Sequence, residues 1–249
     1  MNKDDIRKNA YGMPYMSPAF SKGPYQMFNR EFFIISYRTD PEAFRKALPE
    51  PLSFKDPIVN YEFIRMPDCA GGFGDYTESG QILAIVDQDG KAGGYSNYLY
   101  LNGASPTLGG RELWGFPKKI AEPKLRVESD ALVGTLDYGS IRVANGTMGY
   151  KYSPMDTDVE AKKMMTTPNY LLKIIPNPDL TPGICQLVRY FAEDVHVEQA
   201  WTGPAQLELF KHALAPIADL PVLEVIGAKH LICSRYTIGL GEVVVDYLK

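Results

Sequence analysis

The chain has 249 residues, 45% hydrophobic and 22% charged, enough to bury a sizeable core within a single domain spanning 1–249. Its net charge is −4 with no basic block, which argues against a nucleic-acid groove. Cys69, Cys185 and Cys233 are too few and too scattered for a disulfide framework or a cysteine zinc site, and His196, His212 and His230 lack metal-ligand spacing.

The amino-terminal residues contain no apolar signal core, and no run approaches membrane-spanning length. The sequence therefore predicts a soluble, cytoplasmic protein, without membrane contact and working without a metal. Residues 1–25 are expected to be irregular, punctuated by Pro14, Pro18, Gly23 and Pro24. A β-type run follows from Met27 to Arg38. Asp40-Pro41-Glu42 then starts a short helix that should end near Leu48, because Pro49 and Pro51 stop it.

Ile58 to Met66 alternates as a half-buried strand that carries Glu62. Ala70 to Gly80 reads as a flexible glycine loop carrying Glu78; it has neither a phosphate-loop ending nor dinucleotide-loop spacing. Ile82–Val86 and Tyr95–Leu101 form a predicted hairpin around Asp87–Gly90. Lys124–Glu128, Ala131–Leu136 and Ile141–Tyr150 follow as strands, with turns at Ser129-Asp130 and Asp137-Tyr138-Gly139.

Asp156–Met165 is the clearest interior helix. Beyond Pro168 the runs Leu171–Ile175, Gln186–Phe191, Leu223–Ile226, His230–Tyr236 and Val243–Tyr247 read as strands, and Trp201–Pro204 as a structural turn. Many short strands with few helices favour an α+β, mainly β architecture, an antiparallel barrel or a sandwich.

Lys118 and Lys119 stand out. Leu113, Trp114 and Phe116 precede them and Ile120 follows, a poor setting for a cation. Spacing alone fits a solvated basic pair at a strand start. The alternative is a desolvated amine, whose charged form burial disfavours and which can then attack a ketone.

An ordered series of segments decides between these. It includes Ser17-Pro18-Ala19-Phe20, Asn29-Arg30-Glu31, Tyr76-Thr77-Glu78-Ser79-Gly80-Gln81, Gly110-Arg111-Glu112-Leu113, Pro117-Lys118-Lys119, Leu132 to Gly139, and Asp246 to Lys249. Through these the chain resembles the acetoacetate decarboxylase family along nearly its full length. Near the pocket the chain departs from the family pattern at Trp114-Gly115-Phe116, before the proline, and at Ser96-Asn97-Tyr98, where the family is more apolar.

The resemblance implies a closed antiparallel β-barrel or cone with short peripheral helices, assembled into a large homo-oligomer. It implies decarboxylation of acetoacetate, a small β-keto acid, to acetone and carbon dioxide without metal or organic cofactor. Lys118 becomes the Schiff-base lysine and Lys119 a neighbour that helps set its environment. Arg30, Glu62 and Glu78 fall where the family has its active-site arginine and two glutamates.

At pH 7 only about one ordinary lysine amine in 2,500 is neutral. The family is itself a known example of activation by desolvation or by a neighbouring cation. Two ammonium groups about 6 Å apart, at an effective dielectric near 20, repel by roughly 3 kcal/mol. On an extended strand, consecutive side chains face opposite ways and that repulsion shrinks. Desolvation is thus the expected dominant cause. Because an ionised glutamate beside Lys118 would oppose activation, Arg30 is expected to hold Glu62 or Glu78, or one of them to be protonated.

Overall fold

A computed structural model describes residues 1–249. The opening segment contains a short helix that the sequence reading missed, α1 (Lys3–Asn9), started by a capping box between Asn2 and Asp5. Next come β1 (Gln26–Arg38) and α2 (Pro41–Ala47). The Asp40 side chain caps α2 by accepting the Ala43 N–H at 2.8 Å, as its sequence predicts.

β2 (Ile58–Met66) and a two-residue β3 (Asp68–Cys69) follow. β4 (Tyr76–Val86) begins inside the predicted glycine loop, so Glu78 lies on a strand and not on a loop. β5 (Ala92–Leu101) leads to α3 (Ala104–Gly109), a π-helical turn (Gly110–Trp114) and β6 (Lys118–Ile120).

The strands β7 (Glu122–Glu128), β8 (Ala131–Tyr138), β9 (Ile141–Gly149) and β10 (Ser153–Pro154) precede α4 (Thr157–Thr166), capped by Asp156. The rest is β11 (Asn169–Pro176), β12 (Pro182–Tyr190), β13 (Ala192–Thr202), β14 (Ala205–Leu209), β15 (Glu224–Ile238) and β16 (Glu242–Asp246). Trp201 thus lies within β13 and not in a turn. The runs predicted at Leu223–Ile226 and His230–Tyr236 are parts of one continuous strand, β15.

The strands form a 12-stranded sheet ordered β10-β13-β15-β1-β2-β4-β5-β11-β12-β16, with β3 on β1 and β6 on β5, and a 4-stranded sheet ordered β14-β9-β8-β7. This corrects the expected closed antiparallel barrel. The large sheet is open, and β5 pairs in parallel with both β6 and β11. Strand number and alternation do not encode closure, which requires the two end strands to pair. Here β10 is two residues long and includes Pro154, which has no N–H to donate, so it offers almost no edge to join. No helix is long and apolar enough to cross a membrane.

The main core lies between the sheets. Phe33, Ile35, Tyr37, Tyr61 and Phe63 project from one face of β1 and β2 onto Leu132, Leu136, Val143 and Met148 of the small sheet. Gly134 and Gly146 let it come close, because a Cβ at either would collide with Phe63. Alternation sends the intervening residues of the same strands to the other face, where the candidate site is built.

Candidate active site

The ladder register places Lys229, Ile34, Glu62, Gly80, Leu99 and Lys118 opposite one another in a single row across β15, β1, β2, β4, β5 and β6. Arg30, Tyr76 and Glu78 lie on the same face, an even number of residues along their strands from members of this row. Gly80 keeps the middle of the row free of any side chain. A Cβ there would strike the Tyr98 carbonyl, brought close where β5 is bulged opposite Gln81 and Ile82.

Lys118 is only 5% exposed. Its side chain passes over Gly110, where a Cβ would stand 2.8 Å from Cδ, 2.9 Å from Cε and 3.1 Å from Nζ. The turn that presents Gly110 is closed at Gly115, whose φ of +91° favours glycine, and the N–H groups of Gly115 and Phe116 both donate to the Gly110 carbonyl. Nζ donates to the Pro106 carbonyl at 3.2 Å and lies over the Phe116 and Tyr76 rings, 5.1 and 5.8 Å from their centroids.

Glu78, also 5% exposed, brings Oε1 to 2.6 Å from Nζ. This is an ion-pair contact whose angles fall outside hydrogen-bond geometry, so the oxygen has no hydrogen-bond partner. Lys118 is thus enclosed by aromatic rings with a single carboxylate beside its amine.

Arg30 follows Asn29, which adopts a left-handed φ of +54°, and is 7% exposed. Its guanidinium carbon lies 4.5 Å from the Phe32 ring centroid and 4.2 Å from that of Tyr236, and NH1 donates to Met27 sulfur at 3.2 Å. Burial works against its charge, but the oxygens of Tyr236, Glu78, Tyr76 and Glu62 outweigh that and hold it above the ordinary arginine range. Of the two arrangements expected for the carboxylates, a grip by Arg30 on Glu62 or Glu78 is absent, whereas the raised Glu62 carboxyl supports the other, a protonated acid. Arg30 ion-pairs with neither, Glu78 goes to Lys118, and the Arg30 Nε is buried without a partner.

Burial pushes the Glu62 carboxyl up to about 7, with Arg30 pulling the other way and Glu78 adding to the rise. Tyr76 and Tyr190 are held well above their ordinary range by burial, and Tyr236 above it, so all three remain phenols at neutral pH.

Lys119, next in sequence, faces the opposite side of β6. It is half-buried, donates to the Leu214 carbonyl and lies 5.0 Å from the Tyr138 ring centroid. Lys118, Glu78, Glu62 and Arg30 share one cavity of about 40 Å³, with Tyr76, Phe116, Tyr190 and Tyr236 in its wall. Sequence reasoning placed Phe116 beside the lysine pair but missed Tyr76, Tyr190, Tyr236 and Gly110. Only Tyr76 left a signal, standing two residues before Glu78 on the same strand face. No group of three or more His, Cys, Asp or Glu side chains is arranged to hold a metal ion.

The profile of the acetoacetate decarboxylase (ADC) family matches residues 12–248. The chain belongs to the acetoacetate decarboxylase family. It is 61% identical over 248 residues to an acetoacetate decarboxylase of Bordetella avium, covering 100% of this chain and 99% of that one. Among solved structures, one of acetoacetate decarboxylase superposes with a TM-score of 0.95 at 48% identity, covering 100% of both chains. The acetoacetate decarboxylase of Legionella pneumophila gives 0.91 at 46% identity, covering 98% and 97%.

Proposed function

We propose that this chain decarboxylates acetoacetate to acetone and carbon dioxide through a Schiff base on Lys118. The observation that carries the reading is the Lys118 amine, buried and facing a cavity with Glu78 Oε1 at 2.6 Å and unpaired Arg30 in the same wall. Moving one proton from Nζ to Glu78 turns a buried charged pair into a neutral amine and a neutral acid, which a dry site tolerates better. The amine lone pair then attacks the ketone carbon, and loss of water leaves a protonated imine.

The imine supplies a cationic sink two bonds from the carboxylate. When the carbon–carbon bond breaks, carbon dioxide leaves and the electron pair moves onto the imine nitrogen, giving an enamine. A cationic imine and an anionic carboxylate thereby become two neutral species. Surroundings of buried aromatic rings favour that loss of charge more than water does.

Arg30 has donors to spare, and its role is to meet the substrate carboxylate during approach. A firm grip would stabilise the acid more than the transition state, so the contact is transient. Glu62, part protonated near neutral pH, is suited to give the enamine carbon its proton, and Glu78 returns the proton taken from Lys118. Hydrolysis of the new imine releases acetone and the free amine. Lys119 acts by fixing β6 from its other side.

The reading extends to a cytoplasmic location and to self-association. Exposed Leu240 and Val243, beside and within β16 at one end of the large sheet, support the latter.

The test is to supply acetoacetate and quench with borohydride during turnover. Equal release of carbon dioxide and acetone, with irreversible loss of activity on reduction, is expected. Turnover that survives borohydride would overturn the Schiff-base route.

A further inference from the structure

The Lys118 cavity is not the largest on this face. A chamber of about 220 Å³ adjoins it, and Arg30, Glu62, Ile82, Tyr190 and Tyr236 form walls of both. Its outer rim is α4 and the facing part of β15, which contribute Glu160, Lys163 and Lys229. Every charged residue lining the chamber can be named: Arg30, Lys163 and Lys229 against Glu62 and Glu160.

The disposition of these charges is specific. Glu160 and Lys163 stand three residues apart on α4, a spacing at which they would ordinarily pair with each other. Instead the buried Glu160 is taken by Lys229 from β15, whose Nζ donates to both carboxylate oxygens at 2.7 and 2.8 Å. Lys163 is exposed and has no ion-pair partner. Its backbone is fixed, because its carbonyl accepts both the Thr167 N–H at 3.1 Å and the Thr167 hydroxyl at 2.7 Å. One unneutralised cation is thereby held at the outer rim, with the unpaired Arg30 at the inner wall.

We propose that the outer chamber is a cationic antechamber for the anionic substrate, with Lys163 its first contact for the carboxylate and Arg30 its second. The need for it follows from the whole chain, whose net charge of −4 repels an approaching keto-acid anion. The Glu160–Lys229 pair removes the one carboxylate that would otherwise cancel Lys163. This inference rests on Lys118 being the reacting amine, and it concerns access and not the chemical step.

The test measures kcat/KM for acetoacetate at low and high ionic strength in the wild type, Lys163→Gln and Lys163→Glu. At about 10 mM salt the glutamine variant should lose roughly two- to threefold and the glutamate variant about fivefold. Both losses should vanish near 1 M salt, with kcat unchanged throughout. Lys162→Glu makes the same charge change on α4 outside the chamber wall and should lose less than half as much.

Trapping by acetone and borohydride, with an uncharged ligand, should proceed equally in all four proteins. That arm monitors the Lys118 reading separately, since its failure in the wild type counts against the Schiff base and not against the antechamber. A Lys163→Glu enzyme with unchanged low-salt kcat/KM would overturn the proposal. So would a loss that persists at high salt or appears equally with acetone, which would mark a structural defect in α4.

Discussion

The two faces of the large sheet are made by the same strands and do opposite work. On one, Phe33, Ile35, Tyr61 and Phe63 pack against the small sheet with no charged group among them. On the other, at alternate strand positions, Arg30, Glu62 and Glu78 share a cavity with Lys118. Lys118 and Lys119 reduce this contrast to a single step of the chain. One amine meets Glu78 and aromatic rings in a buried cavity, whereas its neighbour reaches the Leu214 carbonyl beside Tyr138. Strand alternation, and not sequence proximity, determines which lysine faces the cavity.

The largest effect should come from removing the inward amine. Lys118→Ala should lower kcat by roughly 10⁴-fold or more, the scale on which loss of a nucleophile is felt, with the fold intact by circular dichroism. Gly110→Ala tests position without touching the amine. Its backbone is helical, so alanine adopts it without backbone strain. The added Cβ would displace Lys118, and kcat should fall about 10²-fold with the fold intact by circular dichroism. A fully active Gly110→Ala enzyme would show that the amine does not depend on this groove.

Glu62→Gln sharpens the contrast through pH. The Glu62 carboxyl, raised from its ordinary 4.5 to about 7, holds its proton more firmly folded than unfolded. Its contribution to stability is therefore full below about 4.5 and is lost as pH rises through about 7. Denaturant titrations should show the glutamine variant losing less stability than wild type across that window. Its rate profile should also lack the limb centred near 7. The smallest effect is assigned to the outward lysine: Lys119→Met should cost about 0.5–1.5 kcal/mol of stability for its lost hydrogen bond, and only a few-fold in kcat.

Much of this was legible in the chain. Ile58–Met66 alternates clearly enough to define β2 and put Glu62 on one face, and Asp40-Pro41 and Asp156 mark helix starts through local capping chemistry. Lys118, Glu78, Glu62 and Arg30 were readable by resemblance, and the structure brings all four to one cavity.

Other features depend on long-range pairing that no local pattern encodes. The open end of the sheet, the parallel pairing of β5 with β6 and the capture of Glu78 by Lys118 instead of Arg30 are of this kind. Glycines at Gly71, Gly72 and Gly74 suggested a loop as far as Gly80, yet the strand begins at Tyr76 because neighbours on β2 and β5 supply its partners. Gly80 itself is a glycine of close approach and not of a turn.

The central claim is that, of two adjacent lysines, the one facing the dry side of the strand carries the reaction. Reduction with borohydride in the presence of acetone, followed by peptide mapping, tests it directly. The account predicts an isopropyl group on Lys118 and none on Lys119. An adduct on Lys119, or equal labelling of both, would contradict it.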